Sequence, residues 1–159
     1  MKNMSFALTT LQACAQVKSV TRRLGWLDLK PGILVQQVVK GMGLKPGEQV
    51  QKIHVIKAAV IRREPLRSIV DKPRYGREEM VYEGFPNMTT ADFVDMFCAS
   101  HKGCTPESIV TRIEFKYVSP TPLCKCGCAV WYIDPTDKIR CFHCSTLFVK
   151  VYPQWAGER

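Results

Sequence analysis

Long apolar segments are missing from this 159-residue sequence, which has no run of about 18 apolar residues. The sequence therefore predicts no membrane-spanning helix. The apolar stretch near the N-terminus covers only Phe6 to Leu8 before polar residues interrupt it, too short for the core of an export signal. We therefore expect a cytoplasmic protein. Low-complexity segments are also missing, and 46% hydrophobic with 23% charged residues excludes general disorder.

Acidic residues are scarce in the first part of the chain. Residues 1–70 contain 12 basic and 3 acidic side chains, which accounts for a net charge of +9 over the whole sequence. Such an excess of basic over acidic side chains on one part of a protein favours binding of polyanions such as RNA or single-stranded nucleic acid. A solvated basic surface without a ligand is the alternative.

Local patterns predict an α+β fold. The expected helices cover residues 9–17, 78–83 and 91–100, and the expected strands cover residues 33–39, 50–61 and 112–118. A capping-box pattern of Thr9 and Gln12 supports the first helix, Gly84 ends the second, and Thr89 caps the third. Residues 64–77 are expected to form a connecting segment rich in cations.

Composition changes sharply after the last of these strands. Pro120 and Pro122 end it, and five cysteines then follow within residues 124–144. We therefore expect a main domain over residues 1–118 and a small cysteine-rich domain over residues 119–159. Cysteines elsewhere, at Cys14, Cys98 and Cys104, lack a neighbouring partner in sequence and are expected to be ordinary thiols.

The cysteine-rich segment has the pattern of a zinc ribbon. Two close turns, C-K-C-G-C and C-F-H-C, are separated by twelve residues, and four thiolates from two turns suit a tetrahedral, structural Zn²⁺. The expected ligands are Cys124, Cys126, Cys141 and Cys144. Cys128 is the reserve ligand in the first turn, and His143 is expected to be a spacer. An iron–sulfur or redox centre is the competing interpretation.

Several segments together resemble the ASCH superfamily, and in particular the ASCH-domain proteins of bacteriophages. They are SFALTT near the start, KSVTRRLGW, KPG before a β-rich run, REEMVYEGFPNMT before a helix, and RIEF in the last strand. The resemblance covers residues 4–118 in order. It implies a PUA-like β-barrel with flanking helices, a cleft for RNA or a modified nucleoside, and, for a phage protein, a location in the host cytoplasm.

The sequence is similar in particular to small bacterial ASCH enzymes that hydrolyse the amide of N4-acetylcytidine. Their Lys-x-x-Thr-x-Arg pattern falls on Lys18, Thr21 and Arg23, and their acidic residue falls on Glu83. In this chain Gly84, Phe85 and Pro86 are inserted after that glutamate. The resemblance implies catalytic roles for Lys18, Thr21 and Glu83.

Amide hydrolysis needs a nucleophile, a base and an acid for the leaving amine. We expect Thr21 to attack once Lys18 is neutral, and Glu83, at a helix C-terminus, to act as the acid. The basic residues expected to bind substrate or nucleic acid are Arg22, Arg23, Arg62 and Arg63. The alternative function is a non-catalytic, nucleic-acid-binding adaptor of phage origin.

Overall fold

The chain contains both strands and short helices, and the computed structural model describes residues 1–156. The strands are β1 Lys2–Ser5, β2 Val20–Arg23, β3 Leu34–Val38, β4 Lys52–Pro65, β5 Ile109–Tyr117, β6 Trp131–Ile133 and β7 Ile139–Cys141. The α-helices are α1 Thr10–Cys14, α2 Ser68–Asp71, α3 Pro73–Glu83, α4 Thr90–Ser100 and α5 Phe148–Val151. Within residues 1–156, none of these helices has the length and apolar character needed to cross a membrane.

Five of the strands form one curled sheet. Their order is β1-β3-β4-β5-β2, with β1 parallel to β3 and the remaining pairs antiparallel. The register shifts between Gln36 and Val38 and again between Ala58 and Val60, and such bulges bend a strand. The sheet curls into a half barrel, and the predicted α+β class is confirmed.

Three apolar clusters hold these elements together. The concave face of the sheet contributes Met4, Phe6, Val35, Ile56, Ala58, Ile113 and Phe115 with Ala13 of α1. Helices α2, α3 and α4 pack around Leu66, Ile69, Met80, Phe93, Val94, Phe97 and Val110. The third cluster joins the end of α1 to the cysteine-rich segment through Cys14, Ala15, Cys124, Trp131, Ile139, Cys141 and Phe148.

The predictions of strands over residues 33–39, 50–61 and 112–118 and of α4 are confirmed. The expected strands coincide with β3, β4 and β5, and the last of these is longer toward its N-terminal end than predicted. At the start of α4, the Thr89 hydroxyl accepts a hydrogen bond from the backbone N–H of Asp92 at 3.1 Å. This bond satisfies one of the free N–H groups of the first turn.

The predicted first helix is wrong in its cap and its length. A 3-10 turn precedes α1, Thr9 makes no side-chain capping bond, and the helix ends at Cys14 rather than at Val17. Gln16 has φ 57°, a left-handed conformation that cannot continue an α-helix. The Gln12 side chain donates instead to the carbonyl oxygen of Gly84 at 3.4 Å. A tertiary contact has therefore replaced the local cap.

The prediction that residues 64–77 form a connecting segment is also wrong. Strand β4 continues to Pro65, and α3 begins at Pro73, a position in the first turn where proline is tolerated. Gly76 lies inside α3 because a side chain there would collide with α2. A Cβ atom at Gly76 would lie 1.9 Å from the carbonyl oxygen of Ile69 and 2.7 Å from Thr90 Cγ2.

We expect Gly76→Ala to destabilise the protein, although alanine favours helices by about 1 kcal/mol over glycine. Overpacking against the α2 backbone should lower the free energy of unfolding by about 1–3 kcal/mol, measured by urea denaturation. Arg74→Ala in the same helix is the control, because that side chain is 89% exposed. An unchanged or more stable Gly76→Ala protein would contradict the close approach of the two helices.

Candidate functional site

Side chains from two distant segments meet at one cavity of about 330 Å³, called here the first cavity. Lys18, Thr21, Arg23 and Glu83 all line it. Thr21 and Arg23 point to the same face of β2, Lys18 precedes that strand, and Glu83 is the last residue of α3. Aromatic walls come from Phe6, Phe85, Phe93 and Phe97. The structure thus brings together the residues that the sequence singled out.

Lys18 and Glu83 form a buried ion pair. The Lys18 Nζ donates to Glu83 Oε2 at 2.6 Å and to the Glu83 carbonyl oxygen at 2.8 Å, and both residues are only 2% exposed. Burial lowers the pKa of Lys18, while the charge of Glu83 opposes that effect. Lys18 is therefore closer to its neutral, proton-accepting form than an exposed lysine is.

The backbone around Lys18 is held from two sides. The Tyr117 hydroxyl of β5 donates to the Lys18 carbonyl oxygen at 2.7 Å. The N–H of Ser19 donates to the carbonyl oxygen of Tyr82 in α3 at 2.9 Å. After Glu83, Gly84 has φ 88° and ends the helix, which turns the following loop toward α1. These contacts fix the distance between the lysine and the glutamate.

Arg22 points to the opposite face of β2 and is completely buried. Its Nη1 donates to Glu83 Oε1 at 2.9 Å, and its Nη2 donates to Glu64 Oε1 at 2.9 Å and to Glu79 Oε2. Burial alone would lower the pKa of Arg22, but the carboxylates of Glu83 and Glu79 raise it. Arg22 therefore stays charged and positions Glu83. It also lines the first cavity, but its side chain is fully buried in these ion pairs.

A second arginine completes this network. Arg112 of β5 lies opposite Arg22 in the sheet, and its Nε and Nη2 each donate to one oxygen of Glu79 at 2.7 Å. Sequence reasoning missed Arg112 and Glu79. A signal was present, because Tyr75, Glu79 and Glu83 recur every four residues and so share one face of α3.

Arg23 is a cation without an acidic partner. Within residues 1–156 its guanidinium makes no hydrogen bond or ion pair, its Nε is buried, and it lies over the Phe6 ring at 4.9 Å. Burial lowers the pKa of Arg23 to about 10, although the charge of Glu83 opposes the shift. An uncompensated, half-buried arginine that lines a cavity suits an anionic ligand.

The other two predicted binding residues lie outside the first cavity. Arg62 of β4 is exposed and donates to the Tyr75 hydroxyl at 2.6 Å, at the edge of the buried network. Arg63 is exposed on the same face of the sheet as Arg23, with Thr111 between them in register. Glu114 lies on the opposite face from Phe115 and pairs with Arg112 at 3.4 Å.

The cysteine-rich segment gathers four thiols at one point. The sulfur atoms of Cys124, Cys126, Cys141 and Cys144 all lie within 4.8 Å of one another, close enough to hold one metal ion. Cys128 lies outside this group and accepts a hydrogen bond from the N–H of Val130 at 3.4 Å. His143 is not part of the group either. The cluster thus contains the ligands predicted from the two turns.

Two of the remaining cysteines are closer than the sequence suggests. Cys98 at the end of α4 and Cys104 in the following loop have their sulfur atoms 3.5 Å apart. Sequence spacing does not reveal this approach, because the intervening turn at Gly103, with φ 77°, folds the chain back.

The cysteine-rich segment also contacts the loop that follows Glu83. Asn87 follows the Phe85 loop, and its Nδ2 donates to the Asp134 carbonyl oxygen and to Asp137 Oδ1, both at 2.9 Å. Asp134 and Asp137 belong to the turn between β6 and β7. Two hydrogen bonds therefore connect the turn between β6 and β7 with this loop.

No protein-family model and no curated protein matches the sequence significantly. Among solved structures, the fold is similar to the crystal structure of protein EF3133 from Enterococcus faecalis V583, described as family-model DUF984. The two chains are 12% identical with a TM-score of 0.47, and the match covers 74% of this chain and 76% of that chain. This likeness assigns no residue and no activity to the present chain.

We expect Glu79→Gln to lower the free energy of unfolding by about 3–5 kcal/mol, because it leaves two buried arginines short of a carboxylate. The difference in the free energy of unfolding between the wild-type protein and Glu79→Gln should become smaller at low pH. Although burial raises the pKa of Glu79, the hydrogen bonds and charges of Arg112 and Arg22 lower it in the folded state. Its contribution is therefore complete above the ordinary value of 4.5 and is lost as the pH falls further.

Urea denaturation between pH 7 and pH 3 measures both effects. Asp71→Asn is the matched control, because its ion pair with Arg67 has both side chains about half exposed. That substitution should change stability by less than about 1 kcal/mol. If Glu79→Gln and Asp71→Asn lowered the free energy of unfolding equally, the stabilising role of the buried network would be contradicted.

Proposed function

We propose that the chain is a PUA-like protein of the ASCH type that hydrolyses the N4-acyl amide of cytidine in RNA or as a nucleoside. The observation that supports this proposal is the convergence of Lys18, Thr21, Arg23 and Glu83 on one cavity, although 60 residues separate Glu83 from Arg23. These are the positions at which the sequence resembles N4-acetylcytidine amidohydrolases. The cavity is of a size for one nucleoside.

Thr21 is suited to be the nucleophile. Its hydroxyl lines the cavity and makes no hydrogen bond with residues 1–156, while the residue is 4% exposed. In the proposed reaction, Lys18 accepts the hydroxyl proton as Thr21 Oγ1 attacks the acyl carbon. The C–N bond then breaks, the N4 amine receives a proton, and water releases the acid from Thr21.

Glu83 needs a proton before it can donate one. Both of its carboxylate oxygens accept hydrogen bonds, from Lys18 Nζ on one side and from Arg22 Nη1 on the other. In this scheme the proton that Lys18 gains crosses the 2.6 Å contact to Glu83 Oε2 and continues to the amine. Arg22 holds the carboxylate in place, and Arg23 neutralises a phosphate of the substrate.

We expect Thr21→Ala to abolish hydrolysis of N4-acetylcytidine, measured as cytidine release by liquid chromatography. Thr21→Ser keeps a hydroxyl and should keep measurable activity, so it is the matched control. Glu83→Gln should lower kcat by about two to four orders of magnitude, because it removes the proton relay. A Thr21→Ala protein with the parental rate would remove Thr21 from the mechanism.

The alternative is a nucleic-acid-binding adaptor without catalysis. The ion pair between Lys18 and Glu83 favours it, because each group neutralises the other, and the uncompensated Arg23 then acts only as a phosphate ligand. Wild-type protein that binds RNA but releases no cytidine from acetylated substrates would establish this alternative.

We propose further that the four-cysteine cluster holds a structural zinc ion. The ligands come from two tight turns, and Gly127 in the first turn has φ 87°, the left-handed conformation that a tight turn at this position requires. Four thiolates with no further donor in the cluster suit Zn²⁺, which would link the two turns and stabilise the small β6–β7 sheet.

We expect one zinc ion per chain by elemental analysis of the purified protein. Cys126→Ser and Cys144→Ser should each lose it, because three thiolates bind zinc much more weakly than four. Cys128→Ser is the matched control and should retain a full equivalent, because Cys128 lies outside the cluster. Iron with visible absorption, or retention of zinc by Cys126→Ser, would contradict the assignment.

A further inference from the structure

A second, larger cavity of about 1030 Å³ adjoins the first. The two cavities share Arg23 and His101 in their walls. The first cavity is of a size for one nucleoside, so this second space is more than the proposed reaction on a free nucleoside requires. The larger cavity is called here the second cavity, and the side chains that line it indicate the kind of ligand that it suits.

The wall of the second cavity is apolar and largely exposed. Leu24, Leu27 and Ile33 line it and are 37%, 61% and 50% exposed. Trp26 lies among them, packed partly against the core of the sheet. Exposed aliphatic side chains around an indole form a surface that a flat aromatic ligand would cover.

Trp26 is held in an unusual conformation. Its φ is 64°, in the left-handed region that a bulky residue adopts only at a cost. Two hydrogen bonds fix the turn. The Thr111 hydroxyl donates to the Gly25 carbonyl oxygen at 2.8 Å, and the N–H of Leu29 donates to the Trp26 carbonyl oxygen at 3.2 Å. The turn presents the indole to the second cavity.

Arg23 stands at the junction of the two cavities. It has no acidic partner within residues 1–156, and its guanidinium is stacked on Phe6. The second cavity also contains Lys2 and a single acidic residue, Asp28. A phosphodiester that joins one nucleoside in the first cavity to another in the second would place its charge beside Arg23.

His101 offers a hydrogen-bond acceptor at the same junction. Its Nδ1 lies 2.8 Å from the Phe97 carbonyl oxygen, which can only accept, so Nδ1 carries the proton. In the neutral ring Nε2 is then an acceptor. The ring is stacked on Phe97 with centroids 4.2 Å apart, which fixes its plane. Such a group suits a ribose hydroxyl or an amino group of a base.

We propose that the second cavity binds the nucleotide next to the acylated cytidine in single-stranded RNA, with its base stacked on Trp26 and the connecting phosphate held by Arg23. This inference rests on the proposed function, because the first cavity must hold the cytidine. It makes the substrate an oligonucleotide rather than a free nucleoside. Stacking of one base on an aromatic side chain is worth about 5- to 150-fold in affinity.

The test compares kcat/KM for N4-acetylcytidine with kcat/KM for a five-nucleotide RNA that contains one internal N4-acetylcytidine. Wild-type protein should prefer the RNA by about 5- to 150-fold. Trp26→Leu keeps an apolar side chain but removes the stacking surface, so the preference should fall several-fold, to the part that the contact between Arg23 and the phosphate contributes. Trp26→Phe keeps an aromatic ring and should retain most of the preference for the RNA. A folded Trp26→Leu protein with the full preference would overturn the inference.

Two surface variants are matched controls. Phe142→Ala removes an aromatic ring that is 71% exposed and lines neither cavity. Arg74→Ala removes an arginine whose side chain is 89% exposed. Both should keep the wild-type ratio of the two kcat/KM values. Loss of the preference in Phe142→Ala would show that the RNA binds elsewhere and would contradict the second cavity as its site.

Failure of the inference is distinguishable from failure of the proposed function. If the nucleoside is hydrolysed and the RNA is no better a substrate, the second cavity is not a nucleotide site, while the proposed function stands. If neither substrate is hydrolysed, the inference is tested by the affinity for the unmodified five-nucleotide RNA, measured by fluorescence anisotropy for the wild-type and Trp26→Leu proteins. A loss of about 5- to 150-fold in Trp26→Leu supports the second cavity, and equal affinities overturn it.

Discussion

The ion pairs between α3 and the strands β2 and β5 determine how the site is built. Glu79 and Glu83 lie one turn apart on α3 and receive Arg112, Arg22 and Lys18 from the strands and the segment before them. A charge buried this deeply is tolerated only when its partner is close and well aligned. The helix therefore cannot slide along the sheet without separating several pairs at once, and Lys18 keeps its place beside the cavity.

The pairing of these charges also explains why Arg23 makes no ion pair within residues 1–156. Within the buried network three cations face three carboxylates, of which Glu79 and Glu83 are fully buried and Glu64 is 13% exposed. Each of these carboxylates is engaged by Lys18, Arg22 or Arg112, whereas Arg23 lies on the opposite face of β2 from Arg22. Within residues 1–156 the network therefore pairs Arg22 and Arg112 with carboxylates and leaves Arg23 unpaired.

Much of this arrangement was predictable from the sequence, but not all of it. Alternation and β-branched residues predicted β3, β4 and β5, and the cap at Thr89 predicted α4, because these signals are local. The N-terminal half of α3 was missed because Pro73 and Gly76 normally interrupt helices, and only the packing against Ile69 explains the glycine. The pair of Arg112 and Glu79 joins residues 33 positions apart, and no local pattern indicates such a contact.

The third apolar cluster has a consequence for the order in which the chain can fold during synthesis. Cys14 and Ala15 at the end of α1 pack against Trp131, Cys141 and Phe148. More than a hundred further residues must leave the ribosome before these partners are available, so one side of α1 stays uncovered until then. The first helix of the chain is thus among the last to complete its packing.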